Sequence, residues 1–346
     1  MNRRDFLHPR RMANIAGPVL GIAQELETQP TSSSEPVRLH FARRAMATTF
    51  EVILPFAAPA AYDLAQTALA EIDRLEAQLS VFRDTSEVSR LNDRASHHPV
   101  RVEANLFELL GLAERLHRGT EGAFDISVGA LIKTWGFFRR EGRVPTPEER
   151  AAARERIGMQ HVILDAQRQT VAYQRHGLEI NLGSIGKGFA LDCAARLINA
   201  QNILLHGGHS SVLALGNESP SANGWTIGIS DPERPQCRRG LLHLCNRGMA
   251  TSAATHQYFK HEGKKLGHLL DPRTAWPAQG MLSATATAPT AAEADALATA
   301  FFILGVEKAR EYCERHPQIG AALIAADSPH RLVLLGRAAA EVEVIR

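Results

Sequence analysis

The chain has 346 residues, 45% of them hydrophobic, enough for a buried core in one large domain or two medium ones. Its 39 basic and 37 acidic residues are well mixed and leave a net charge of +2, so no basic stripe proposes nucleic acid as a partner. Four cysteines, Cys193, Cys237, Cys245 and Cys313, form no CxxC pair or Cys/His cluster; this argues against a zinc site or a disulfide framework and makes most of them small core residues.

The first 36 residues stand outside the expected fold. In "MNRRDFLHPRRMANIAGPVLGIAQEL", Arg3 and Arg4 precede Phe6 and Leu7 and a mildly apolar run from Met12 to Ala23, which resembles a twin-arginine export signal. Arg10, Arg11, Asn14 and Pro18 weaken that run and no A-x-A-like cleavage site follows, so a basic unstructured tail is the other reading. A periplasmic or extracytoplasmic location is slightly favoured over a cytoplasmic one. "TQPTSSSEP" reads as a linker into a domain spanning 37–346, and no stretch approaches the roughly 20 apolar residues of a membrane span.

From Val37, "VRLHFARRAMATTFEVILP" alternates as a strand hairpin does. Next, "AYDLAQTALAEIDRLEAQLS" repeats apolar residues at helical spacing through Leu64, Ala68, Ile72, Leu75 and Leu79. A second helix is expected from Ala104 to Arg118, before the turn "GTEGAFD". In "PTPEERAAARERIG", Thr146 can cap a short helix with Pro147 in its first turn. "HVILD" and "TVAYQ" read as strands joined by "AQRQ", Lys187 to Ala200 as a helix, and "ILLHGGHSSVLALG" as strand, turn and strand. "GWTIGISDP" reads as a strand, Ala291 to Leu304 as a buried helix, and "IGAALIAADSPHRLVLLG" as a last hairpin. With no repeat and no internal linker, a single α+β domain is the simplest architecture.

Four stretches have the composition of a site. "NLGSIGKGFALD", residues 181–192, places three glycines and Lys187 between a strand and a helix, where backbone N–H groups can meet an anion. It is no Walker loop, because Asn181 and Gly188 occupy that motif's Gly and Ser/Thr positions, and its glycines are in the wrong order for GxGxxG; a tight turn needing glycine explains it equally well. In "HGGHSSVLALG", Gly207 and Gly208 mark a bulge or a close approach of ligand to backbone. Asp295 and Thr299 fall four apart on an apolar helix and share a face; a carboxylate there is expensive unless it is paired or binds a cation such as Mg²⁺. "GHLLDPRTAWPAQG", residues 267–280, offers His268 as a base, Asp271 as an anchor for the loop, and Arg273 as a partner for that acid or for a phosphate. Together they nominate a site for a phosphorylated ligand and a metal.

Taken in order, these stretches resemble the ApbE family, the FAD:protein FMN transferases. "MATTFEV", "LSVFRDTSEVSRLN", "GAFDISVGALIKTWGF", "NLGSIGKGFALD", "LLHGGHSSVLALG", "ATSAATHQYF", "LGHLLDPRT" and "ATAPTAAEADALATAFFILG" follow with family-like spacing over roughly residues 40 to 340. The resemblance implies a bilobed α+β fold related to the T-fold, with mixed or antiparallel sheets and a flavin cleft. It implies Mg²⁺-dependent transfer of FMN from FAD to a threonine of an acceptor protein, with release of AMP. Asp295 and Thr299 match the family's side-chain metal ligands, and a backbone carbonyl in the Gly183–Ser184 turn would join them. Phe82 matches a position that packs on adenine, Asp125 one at the adenosine end, and Met46 one beside the nucleotide; Ser184, Lys187 and Thr251 fall in the family's cofactor-binding segments. Glu87 and Asn92 look like supports of the Phe82 loop. His268 matches the histidine proposed to take the acceptor's proton, and the resemblance implies an acceptor that carries a short segment ending in Thr, often in a membrane redox complex or an extracytoplasmic electron carrier.

The chain departs from the family pattern at several places. "TSG" appears as Thr251-Ser252-Ala253 with Ala254 after it, "DPRTG" ends in Ala275, the acid of "GGD" is His209, and Asn181 stands for the Asp before the Gly-rich turn. Alanine for glycine adds a methyl group and is unfavourable at positive φ. These changes leave two rivals to the transferase: a protein that binds FAD without turnover, and a hydrolase that splits FAD into FMN and AMP. "LSAT", residues 282–285, lies in an expected strand and reads as a coincidence rather than a self-acceptor.

Overall fold

The computed structural model describes residues 37–198, 200–253 and 257–345, so the export-signal reading and the linker up to Pro36 lie outside the described residues. Among them, eight strands form one antiparallel sheet, labelled here in chain order: β1 (Arg38–Ala45), β2 (Thr48–Pro55), β3 (Ile203–Gly207), β4 (Ser211–Leu215), β5 (Arg247–Ala253), β6 (Met281–Ala288), β7 (Gly320–Ala325) and β8 (Val333–Gly336). Each strand pairs with the next in this order, so the sheet is a meander whose long excursions hang from its turns. Met46 and Ala47 close the first hairpin with φ of 48° and 60°, the double left-handed turn that suits strand twist. Non-glycine residues pay for that conformation, and here the Met46 N–H is held by Glu76 Oε1 at 2.9 Å.

The two-residue period of the strands sorts their side chains between two cores. Phe50, Val52, Leu54, Leu205, Leu213, Ala250 and Ala284 face the helices α1 (Ala61–Leu79), α6 (Gly186–Ile198) and α7 (Ala291–Arg315). Ile53, Leu204, Val212 and Met249 face the other way, onto Trp225, Leu242 and Leu244 of a three-stranded sheet made of Trp225–Ser230, Arg238–Leu244 and Val342–Val344. Between α1 and α6 the chain forms α2 (Glu87–Arg94), α3 (Ala104–Gly119), α4 (Gly129–Thr134) and α5 (Pro147–Arg154). The cap expected at Thr146 is present, and Glu149 completes it as a capping box. A third cluster of Leu131, Trp135, Phe137, Ile157, Leu266, Leu270 and Ala275 carries the hairpin of Tyr258–His261 and Lys264–Gly267.

The expected α+β class is the one observed, and three details differ. The helix expected to end at Leu304 runs to Arg315, but Gly305 breaks its backbone with φ 76° and ψ −178°, so the apolar pattern ends where the first helical segment ends. β5, in the middle of the sheet, gave no strand signal because "RGMATSA" is short of large β-branched and aromatic residues. Only Cys193 and Cys313 are buried, their thiols pushed by burial up to about 11 and about 12; Cys237 is exposed in the turn before Arg238–Leu244, and Cys245 is half-buried.

Candidate active site

The site is built where α6 crosses α7 over β5. A Cβ at Gly188 would collide with the Ala291 carbonyl, and one at Gly248 with the Ala291 backbone, so both glycines are there to let three backbones meet. The same crossing is tied by Asp192, whose carboxylate accepts the N–H groups of Ala291 and Ala292 at 2.8 Å each. Burial pushes this carboxyl up to about 6 in spite of those bonds. Close packing therefore accounts for one glycine of the Gly-rich turn, while Gly183 and Ser184 line a cleft.

That cleft has a volume of about 380 Å³, within the usual span of small-molecule sites of roughly 300–1,000 Å³. It is lined by Phe82, Asp125, Ser184, Lys187, Thr251, His268, Asp295 and Thr299, all named from the sequence, and also by Phe138, Ser210, Ser252, Ala253 and Gln257. Met46 is not in this lining; it sits in the β1–β2 turn, half-buried against the helical core. Asp271 and Arg273 are behind the wall rather than in it.

Asp295 is only 5% exposed, and its charge is answered from three sides. Its Oδ2 accepts the Gly188 N–H at 3.1 Å and faces Lys187 Nζ at 3.5 Å, while Oδ1 accepts from the Ser211 hydroxyl at 3.2 Å. Lys187 thus has the structural partner that a buried carboxylate requires and still lines the cleft. One turn on, Thr299 Oγ1 is 3.1 Å from Ser252 Oγ, and Thr251 Oγ1 is 2.8 Å from Thr285 Oγ1. Among the described residues no group of three His, Cys, Asp or Glu side chains surrounds a metal position. One carboxylate with hydroxyl and carbonyl oxygens is instead the partial, hard-oxygen set that suits Mg²⁺ shared with a phosphorylated ligand.

Across the cleft, His268 follows directly on the 258–267 hairpin. Its backbone N–H and its Nδ1 both bond the Gln257 carbonyl, each at 3.1 Å. A carbonyl can only accept, so Nδ1 carries the proton and the basic lone pair of the neutral ring is on Nε2. Behind it, Arg273 grips Asp271 in a two-point ion pair of 2.9 and 2.8 Å, which spends Arg273 on the loop and not on a phosphate. Ala275 ends this turn with φ 59°, buried, its carbonyl accepting Trp135 Nε1 at 3.1 Å. Ala275, where the resemblance leads one to expect glycine, does take the left-handed conformation glycine favours.

The remaining wall comes from the segment before α4. Asp125 is buried, and its oxygens accept the Ser127 N–H and hydroxyl at 2.7 and 2.6 Å and the Met159 N–H at 3.1 Å, with His117 Nδ1 at 3.4 Å. Most of its bonding capacity therefore holds the wall together. Phe82 is 70% exposed and stacks on Phe138, with ring centres 4.6 Å apart and planes at 21°. Phe138, directly after Trp135-Gly136-Phe137, carries no periodic signal that would mark it in the sequence. Asn92 and Glu87, expected to support the Phe82 loop, bond to other segments: Asn92 brackets both backbone groups of Ile180 at 2.8 and 2.9 Å, and Glu87 accepts the Glu103 N–H at 2.7 Å.

Fold and site together define an α+β protein whose cleft suits a ligand with an aromatic part and an anionic part, together with a hard cation. The comparisons with known proteins make the class particular. The family model described as the ApbE family matches residues 46–324, and the chain belongs to that family. It is 34% identical over 253 residues to an FAD:protein FMN transferase of Haemophilus influenzae, covering 70% of this chain and 72% of that one. With the FAD:protein FMN transferase of Salmonella typhimurium the identity is 30% over 302 residues, 84% and 85% of the two chains. Among solved structures, the apo flavinyl transferase ApbE of Pseudomonas stutzeri superposes with a TM-score of 0.76 at 27% identity, covering 88% of this chain and 96% of that chain. The ApbE protein of Thermotoga maritima gives 0.77 at 26%, covering 86% and 97%.

Proposed function

We propose that this protein transfers FMN from FAD to a threonine hydroxyl of an acceptor protein and releases AMP. The observation that carries the reading is the meeting, in one cleft, of His268 with Ser184, Lys187, Asp295 and Thr299 beside the exposed Phe82 ring. The Phe82–Phe138 stack offers a flat face to adenine, and Asp125 shapes the wall beside it. Lys187 and the backbone of the Gly183–Ser184 turn would meet the diphosphate. Asp295, Thr299 and a carbonyl of that turn would hold Mg²⁺, which when bound supplies neutralisation of the diphosphate charge.

In this reading His268 Nε2 takes the proton from the acceptor hydroxyl. The threonine oxygen then forms a bond to the FMN-side phosphorus, and the bond from that phosphorus to the bridging oxygen breaks. AMP leaves with that oxygen and its electron pair. The Gln257 carbonyl fixes the ring so that the proton is received on Nε2, and positioning of the two reactants supplies much of the rate. An acceptor in a membrane redox complex or an extracytoplasmic electron carrier would match the twin-arginine-like N-terminus.

The test is to incubate the purified protein with FAD, Mg²⁺ and a domain bearing an acceptor threonine, and to measure the FMN adduct by mass spectrometry together with AMP. An adduct that disappears with EDTA supports transfer. Free FMN and AMP without adduct would identify a hydrolase, and intact bound FAD a binding protein without turnover.

A further inference from the structure

Positive charge is concentrated on one side of the cleft mouth. Residues 133–143 carry Lys133, Arg139, Arg140 and Arg143 against Glu141, and the 258–267 hairpin carries Lys260, Lys264 and Lys265 against Glu262; these segments sum to +5 in a chain whose total is +2. Glu179 answers Lys133 at 2.6 Å and Glu149 answers Arg143 at 2.7 Å. Arg139, Arg140, Lys260, Lys264 and Lys265 remain exposed, with no acidic partner among the described residues. Like charges so gathered repel one another, and nothing in the fold requires them.

The two segments form one surface, and that surface is joined to the site. The backbone at Gly142 lies against the Phe259 ring, Phe259 packs on Phe137 at 5.8 Å, and Gln257 Nε2 donates to the Phe137 carbonyl at 3.0 Å. The hairpin is closed at its base by the bonds between His268 and Gln257. A groove of about 480 Å³ lined by Lys133, Phe138, Arg139 and Arg143, with Glu141 as its one acid, opens beside the cleft, and Phe138 walls both.

We propose that this rim is the docking surface for an acidic stretch of the acceptor protein that flanks its threonine. The proposal rests on the transferase reading, which requires a polypeptide to reach His268. Charge at a rim steers such a partner and sets its orientation. An anionic membrane is the less favoured partner: the hairpin tip, His261–Glu262–Gly263, has no apolar side chain to insert, and the Tyr258 ring is covered by Lys265 Nζ at 4.7 Å.

The experiment uses the full chain saturated with FAD and a fluorescent peptide with one Thr flanked by Asp residues, compared with the same peptide carrying Asn instead. Fluorescence anisotropy is expected to show binding of the Asp peptide that weakens from low to physiological salt. Binding should weaken about tenfold in the Arg139→Glu/Arg140→Glu and Lys260→Glu/Lys264→Glu variants, with FAD affinity unchanged. Equal binding of the Asn peptide, or of the Asp peptide by the charge-reversed variants, overturns the proposal. So does binding of phosphatidylglycerol vesicles without binding of the Asp peptide. Absence of any FMN adduct while the Asp peptide still binds in this pattern overturns the transferase reading and leaves the acidic-segment surface standing.

Discussion

Asp192, on the helix that begins at Gly186, takes the first two N–H groups of the helix that carries Asp295, and so ties Lys187 and Asp295 into one rigid corner. The corner has a cost, because partial burial disfavours the ionised form of this carboxyl.

Stability should report this directly. The folded pKa of Asp192 is raised to about 6 from an ordinary value near 3.8. Its contribution is therefore fully present below about pH 4 and is lost as pH rises through about 6. Asp192→Asn cannot titrate, so the stability advantage of the parent over this variant should shrink by roughly 3 kcal/mol between about pH 4 and pH 7. Urea unfolding of both proteins at the two pH values measures the gap, and a constant gap would reject the assignment.

Gly188→Ala separates packing from helix propensity. Propensity alone would favour alanine by up to about 1 kcal/mol. Because the new Cβ meets the Ala291 carbonyl, we expect a net loss of at least about 2 kcal/mol. Gly263→Ala, which has nothing within 4 Å and a φ of 77°, should cost only about 1–2 kcal/mol of local strain. Thermal midpoints that rank the two the other way would refute the close-approach argument.

Asp295→Ala should abolish Mg²⁺-dependent turnover and leave whatever activity remains insensitive to EDTA. Asp295→Asn, which keeps the shape, should still lose about 100-fold or more. Full activity in either variant would remove Asp295 from the metal site.

His268→Gln should lower kcat by about 10²–10⁴-fold, the usual worth of a positioned base, with little change in FAD affinity. A parallel loss of FAD binding would make the residue a wall and not a base.

Phe82→Ala should weaken FAD binding by about tenfold while sparing kcat, since an exposed ring stacked on Phe138 can offer adenine a face but no chemistry. An unchanged KM for FAD would place adenine elsewhere.

The sequence by itself determined those elements whose signal is local. The 3.6-residue spacing of Ala68, Ile72, Leu75 and Leu79 specifies α1, Thr146 caps a helix with Pro147 in its first turn, and alternation in "FEVIL" makes a strand with two faces. Asp295 and Thr299 could be assigned to one helix face, because that depends only on spacing. The acid in an apolar helix was a signal that pairing or a cation was needed, and Lys187 is the pairing found.

Only the tertiary structure decided which of these features meet. α2 has only eight residues and marks its buried face with just Val88 and Leu91, β5 is made of small residues, and Phe138 joins the Phe82 face only because the chain after α4 doubles back. It also decided that Arg273 serves Asp271, that Asp125 is occupied with Ser127 and Met159, and that Met46 belongs to a strained turn held by Glu76. The physical reason is range. Periodicity and capping act over a few residues and can be read in order, whereas Lys187 and Asp295, or Gly142 and Phe259, meet across more than a hundred positions of chain, where many alternative pairings are sterically open until packing selects one.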